Sequence, residues 1–127
     1  MNGLKAVLLV GSGGFLGSAL RYLVGGFVYD LLPATTFPFG TMVVNVTGCL
    51  AIGVLGGLFE FRQAFGPEAR LFLMIGVLGG YTTFSSFAYE TLALARDAEL
   101  LRAFANVAFQ TVLGLAAAWL GYALVRP

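Results

Sequence analysis

Four runs without a single charged side chain, residues 6–20, 31–59, 71–89 and 103–125, constrain this sequence more than any other feature. A helix rises about 1.5 Å per residue, so roughly 20 apolar residues cross a hydrocarbon core of about 30 Å. The second, third and fourth runs reach that length directly. The first reaches it if Arg21 is tolerated inside a helix that continues to about Tyr29. The expected fold is therefore an all-α integral membrane protein, a single domain over residues 1–127, with transmembrane helices at about 4–29, 40–61, 71–95 and 101–125.

Composition agrees with lipid as the solvent. Hydrophobic residues make up 59% and charged residues 10% of the chain, a balance that does not suit a water-facing surface. Lys5 ahead of the first apolar run imitates a signal peptide, but the run outlasts an ordinary h-region and no polar mature domain follows. The net charge of +1 offers no basic patch for nucleic acid. Histidine is absent, which excludes histidine-based proton relays, metal sites and triads. The single cysteine, Cys49, forbids an intrachain disulfide and reads as a small buried hydrophobe.

Pro33 and Pro38 bracket the first loop, Gly66-Pro67 marks the second, and residues 96–102 form the third. With both termini on one side, that side carries Lys5, Arg62, Arg70 and Arg126 against Arg96 and Arg102 opposite. Such a weak bias leans toward termini inside, and it also suits a chain that inserts both ways and pairs with itself antiparallel. Gly13 with Gly17, Gly53 with Gly57, and Gly76 with Gly80 are each four apart, the spacing at which small residues let membrane helices approach closely.

Polar side chains inside a span are costly and mark function or interhelical bonding. Arg21 lies in the first helix, Thr41, Asn45 and Thr47 in the second, Thr82, Thr83, Ser85, Ser86 and Glu90 in the third, and Asn106, Gln110 and Thr111 in the fourth. Thr41 and Asn45 share one helical face, which Gly48 and Gly56 extend as a groove, and Asn106 and Gln110 share another, continuing through Gly114. These tracks suit either a hydrophilic path or hydrogen bonding between helices. The run Gly79-Gly80-Tyr81-Thr82-Thr83-Phe84-Ser85-Ser86-Phe87 is a poor helix former at the centre of a span, so an interruption of helix 3 is expected there. Irregular backbone at membrane depth must be buried in protein or line a cavity. Its freed carbonyls suit a small hard cation such as Na+, and the positive ring edges of Phe84 and Phe87, on one face just after the interruption, suit a small anion.

This run closely resembles the GGxTTFSTF signature of the Fluc (CrcB-type) fluoride channels. Gly13-Gly14-Phe15-Leu16-Gly17-Ser18-Ala19-Leu20-Arg21-Tyr22 is similar to that family's first-helix GGxxGAxxRY. Gly40-Thr41-Met42-Val43-Val44-Asn45-Val46-Thr47-Gly48 is similar to its second-helix GTLxVNxxG. Ser86 stands where Thr is more usual and Ser18 where Ala is. The resemblance implies a passive, selective fluoride channel in the cell membrane, an antiparallel dual-topology homodimer with two pores. It would release fluoride that enters as HF and dissociates inside. Phe84 and Phe87 would then supply ring edges along the pore and Asn45 a donor to the ion. Thr41 and Ser86 would stand beside them, and Asn106 and Gln110 join the polar track on spacing alone. Arg21 would lie toward the aqueous vestibule, and the carbonyls of Gly79 and Thr82 would hold a structural Na+ at the dimer centre.

Two rival readings come from other classes. Small multidrug-resistance-type exporters share the size, the four helices and antiparallel pairing, but carry their coupling proton on a first-helix glutamate, and helix 1 here has no carboxylate before Asp30. A scaffold subunit would use the same glycines and amides only to pack helices. An enzyme fits least, because no nucleophile sits beside a base.

Overall fold

The computed structural model describes residues 1–127. Helix α1 runs Gly3–Leu31 and α2 Phe39–Phe61. The third span is composite: α3 (Pro67–Arg70), a π-helical stretch π1 (Leu71–Leu78), α4 (Gly79–Tyr81) and α5 (Phe84–Arg96). Helix α6 runs Leu100–Val125. All four spans have the length and apolar composition to cross a membrane. The chain is thus a four-span, multi-pass membrane protein in architecture.

Boundaries follow local chemistry. The Asn2 side chain accepts from Lys5 N–H at 2.8 Å and caps α1. The third span starts at Pro67, four residues earlier than the sequence suggested, because proline at the first helical position needs no N–H partner and Glu68 suits the first turn. The third loop is tighter than expected. Arg96 is still helical, and the chain reverses at Ala98 in the left-handed region (φ 59°) before α6 begins.

The spans run up, down, up and down. At one end Lys5 near the start of α1 pairs with Glu68 of α3. At the other, Arg102 of α6 donates to Thr36 in the first loop at 2.6 Å. Both termini therefore lie at the same end of the bundle. Helix α2 packs along α6, and α1 packs along π1 and α4.

Glycine sets these contacts. A Cβ on Gly13 would meet the Gly76 Cα at 2.9 Å, and one on Gly17 would strike the Val77 carbonyl. Gly80 likewise faces the backbone of Gly14, while Gly53 and Gly57 of α2 abut Ala118, Tyr122 and Val125 of α6. All three glycine pairs read from the sequence are thus close-approach surfaces. Along α2, Gly48 lines the same cavity as Asn45 while also facing Tyr81 and Thr82, and a Cβ on Gly56 would meet nothing outside its own helix within 4 Å. Gly17→Val is expected to cost about 3 kcal/mol or more, since backbone rather than a flexible side chain opposes it. Gly11→Ala, in open space, is expected to leave thermal unfolding of the detergent-solubilised protein unchanged. Equal melting of the two variants would refute this packing.

Only 16 of 127 residues are buried, so most of the apolar side chains, among them Phe104, Leu115 and Trp119, point outward. In water this would be an aggregating surface, whereas in a bilayer it is the solvent-facing one.

Candidate functional site

The site centres on two residues whose backbone leaves the helical conformation. Thr82 (φ −80°, ψ 157°) and Thr83 (φ −148°, ψ 112°) are extended between α4 and α5. Thr83 then caps α5: its Oγ1 accepts from Ser86 N–H at 3.1 Å and donates to Ser86 Oγ at 3.0 Å. Its own N–H turns to Asn45 Oδ1 at 2.8 Å instead of to the Gly79 carbonyl one turn back. Asn45 Nδ2 in turn donates to the Thr83 carbonyl at 3.0 Å. One carboxamide of α2 thereby satisfies both polar groups of the Thr83 residue, which would otherwise stand unpaired at membrane depth.

The network continues into α6. Asn45 Nδ2 also donates to Gln110 Oε1 at 2.8 Å, and Gln110 Nε2 donates to Asn106 Oδ1 at 2.9 Å. Asn106 is fully buried, and its Nδ2 donates to Thr91 Oγ1 at 2.9 Å. Thr91 Oγ1 donates to the Phe87 carbonyl at 2.7 Å. Helices α2, α5 and α6 are therefore stitched by amides, and the face of α6 that buries Asn106, Gln110 and Gly114 is the one read from their spacing.

Two hollows flank this seam. A cavity of about 490 Å³ is lined by Asn45, Cys49, Gly79, Thr82, Thr83, Phe84, Phe87, Gln110 and Gly114 among others. The Phe84 and Phe87 ring centroids lie 5.6 Å apart at an interplanar angle of 47°. A second hollow of about 630 Å³ brings together Arg21, Asp30, Thr41, Thr83 and Ser86. Thr83 borders both. Cys49 is half-buried at the cavity rather than enclosed in a core.

The expected site residues thus separate into three places. Asn45, Gln110, Phe84, Phe87, Gly79 and Thr82 share the first cavity, while Arg21, Thr41 and Ser86 share the second hollow. Asn106 borders neither and lies behind Gln110. Thr41 Oγ1 donates to Glu90 Oε1 at 2.8 Å, a bond that joins α2 to α5 beside the hollow. Thr47 pairs with the buried Tyr81 hydroxyl at 2.9 Å and serves helix packing. Thr91 was missed. Its sequence signal was its place one turn beyond Phe87, on the same face of α5.

This geometry sets hydroxyls, carboxamides and two phenyl rings around a cavity without a fixed charge, and places Arg21 together with Asp30 in the neighbouring hollow. The comparisons with known proteins agree. The model for the family "CrcB-like protein, Camphor Resistance (CrcB)" matches residues 8–122. A protein of Solibacter usitatus called fluoride-specific ion channel FluC is 48% identical, with 94% of this chain and 97% of the relative covered. Relatives of the same name from Rhizobium meliloti (43% identical, 94% and 95% covered) and Flavobacterium psychrophilum (40% identical, 97% and 98% covered) align as fully. By motif, by architecture and by these matches along nearly its whole length, the chain belongs to the CrcB-like family.

Proposed function

We propose that this chain is a passive fluoride channel of the cell membrane and that it works as an antiparallel dual-topology homodimer. The observation that carries the reading is the cavity beside Thr82 and Thr83, where phenyl rings and carboxamides meet without a fixed charge. Fluoride holds its water strongly, so a pore must replace that water with donors and still let the ion go. Neutral hydroxyls, amides and ring edges meet both demands, whereas a buried lysine would trap the ion. Arg21, which shares the adjoining hollow with Asp30, is the positive group an anion meets before the neutral section. Asn45 commits its N–H groups to Thr83 and Gln110 within one chain. Gln110 Nε2 donates to Asn106 alone and so retains an N–H for an ion at this level.

Pairing is supported by the cavity rim. Phe84 is 80% exposed in the single chain although its neighbours are pore-type residues, and a second copy would enclose it. The near balance of loop charges favours antiparallel insertion, in which case tags on the termini are found on both faces of the membrane. A structural Na+ fits the donor set. With Thr83 N–H drawn to Asn45, the Gly79 carbonyl is released from the helical ladder, and with the extended Thr82 carbonyl it provides the neutral oxygen ligands that hard cations prefer. Such an ion would tie together backbone that has lost its helical partners.

Currents across a planar bilayer test the reading. A fluoride gradient should set the reversal potential, an imposed pH gradient should leave it unmoved, and replacing Na+ by a larger cation should reduce the current. A reversal potential that follows the proton gradient would instead indicate a proton-coupled exporter.

A further inference from the structure

The hydrogen bonds behind the cavity form a chain whose direction is fixed at both ends. It begins at Thr83 N–H, which only donates, and passes through the Asn45, Gln110 and Asn106 carboxamides. It ends through the Thr91 hydroxyl at the Phe87 carbonyl, which only accepts. A carboxamide has nearly the same shape after a half turn that exchanges its oxygen and nitrogen, so only its partners decide which atom faces where. We propose that Thr91 is a positioning residue for conduction, fixing the orientation of Asn106 and, through it, of Gln110.

The reasoning starts from a habit of threonine in helices, whose hydroxyl often bonds the carbonyl one turn back. In Thr91 that bond uses the only proton, so Oγ1 presents lone pairs alone to α6. Asn106, with no exposed surface, meets this acceptor with its nitrogen and aims its oxygen at Gln110. Gln110 then turns nitrogen toward Asn106 and oxygen toward Asn45, and its second N–H stays uncommitted on a residue that lines the cavity. Without the Thr91 hydroxyl the buried Asn106 nitrogen loses its acceptor, and the sense of the chain is held from the Thr83 end alone. A reversed Gln110 would set oxygen lone pairs against Asn106 and leave an acceptor where an anion needs a donor. Thr91 itself touches neither hollow, so its influence reaches the ion only through these amides.

The inference rests on the fluoride-conducting reading, and one set of liposome measurements separates the two. Thr91→Val keeps the shape and removes the hydroxyl, and fluoride efflux should fall about tenfold, the scale of one lost buried hydrogen bond. Thr91→Ser keeps the hydroxyl and should restore efflux to within about twofold of wild type. In an Asn106→Ala background, Thr91→Val should add nothing, since its route to the ion is already cut. Thr91→Ala replaces the valine variant if valine does not yield folded protein. Wild-type efflux from the hydroxyl-free variant, a serine variant as slow as the valine one, or full additivity with Asn106→Ala overturns the inference. A wild-type chain that carries no fluoride overturns the functional reading instead.

Discussion

Replacing Phe87 or Phe84 by isoleucine is expected to lower fluoride efflux at least about tenfold, equivalent to about 1.4 kcal/mol on the conduction barrier, while the protein still elutes as the folded assembly. Isoleucine keeps the apolar bulk at the cavity and removes the positive ring edge, so the substitution isolates the electrostatic contribution of the ring. The two rings lie 5.6 Å apart on the first turns of α5, immediately after the extended pair Thr82 and Thr83. Both line the cavity, so on the proposed reading an ion passing it meets both. Phe84 adds a second consideration, since its exposure in the single chain makes it a wall of the cavity and not part of the core. The loss should therefore appear in flux and not in thermal unfolding. Unchanged flux in both isoleucine variants would mean that the rings pack helices or face lipid.

The second large effect is expected at Asn45. Its carboxamide accepts from Thr83 N–H, donates to the Thr83 carbonyl and donates to Gln110, so Asn45→Ala strands three polar groups inside the bundle. An unmade buried bond costs about 1–3 kcal/mol, and the segment it pins has no helical ladder to fall back on. The alanine variant should lose about 3 kcal/mol or more of stability, together with essentially all flux. Asn45→Asp should be worse, because it sets a carboxylate oxygen against the Thr83 carbonyl and against Gln110 Oε1. Thermal unfolding of purified protein measures the loss, and a wild-type melting profile for the alanine variant would show that Thr83 is held by something else.

Span number and approximate limits follow from the four charge-free runs, because lipid tolerates few charges and a bilayer has a fixed thickness. The error at the third span came from Glu68 and Arg70, whose charges looked like loop, although Pro67 is a helix-starting residue. The π-helical stretch Leu71–Leu78 has no signature in its own side chains. It lies against Gly13, Gly14 and Gly17 of α1, whose missing side chains leave room for a wider backbone.

Spacing likewise identifies a face but not its partner. Asn106 and Gln110 were placed on one face of α6 correctly, yet only the crossing of α5 over α6 makes one a contact of Thr91 and the other a wall of the cavity. Thr91 escaped notice because a helical threonine ordinarily satisfies itself on the carbonyl one turn back and needs nothing further. Thr41, expected on the ion path from its spacing with Asn45, bonds Glu90 in the folded chain at the rim of the hollow that holds Arg21. The glycine pairs are legible as surfaces of close approach from their spacing of four, and Gly56, outside those pairs, faces open space.

The most direct measurement records fluoride and chloride side by side with ion-selective electrodes as each leaves liposomes carrying the purified chain. A fluoride channel built on neutral donors should empty the vesicles of fluoride rapidly and leave chloride inside. Vesicles that retain both ions, or release both at similar rates, would contradict it.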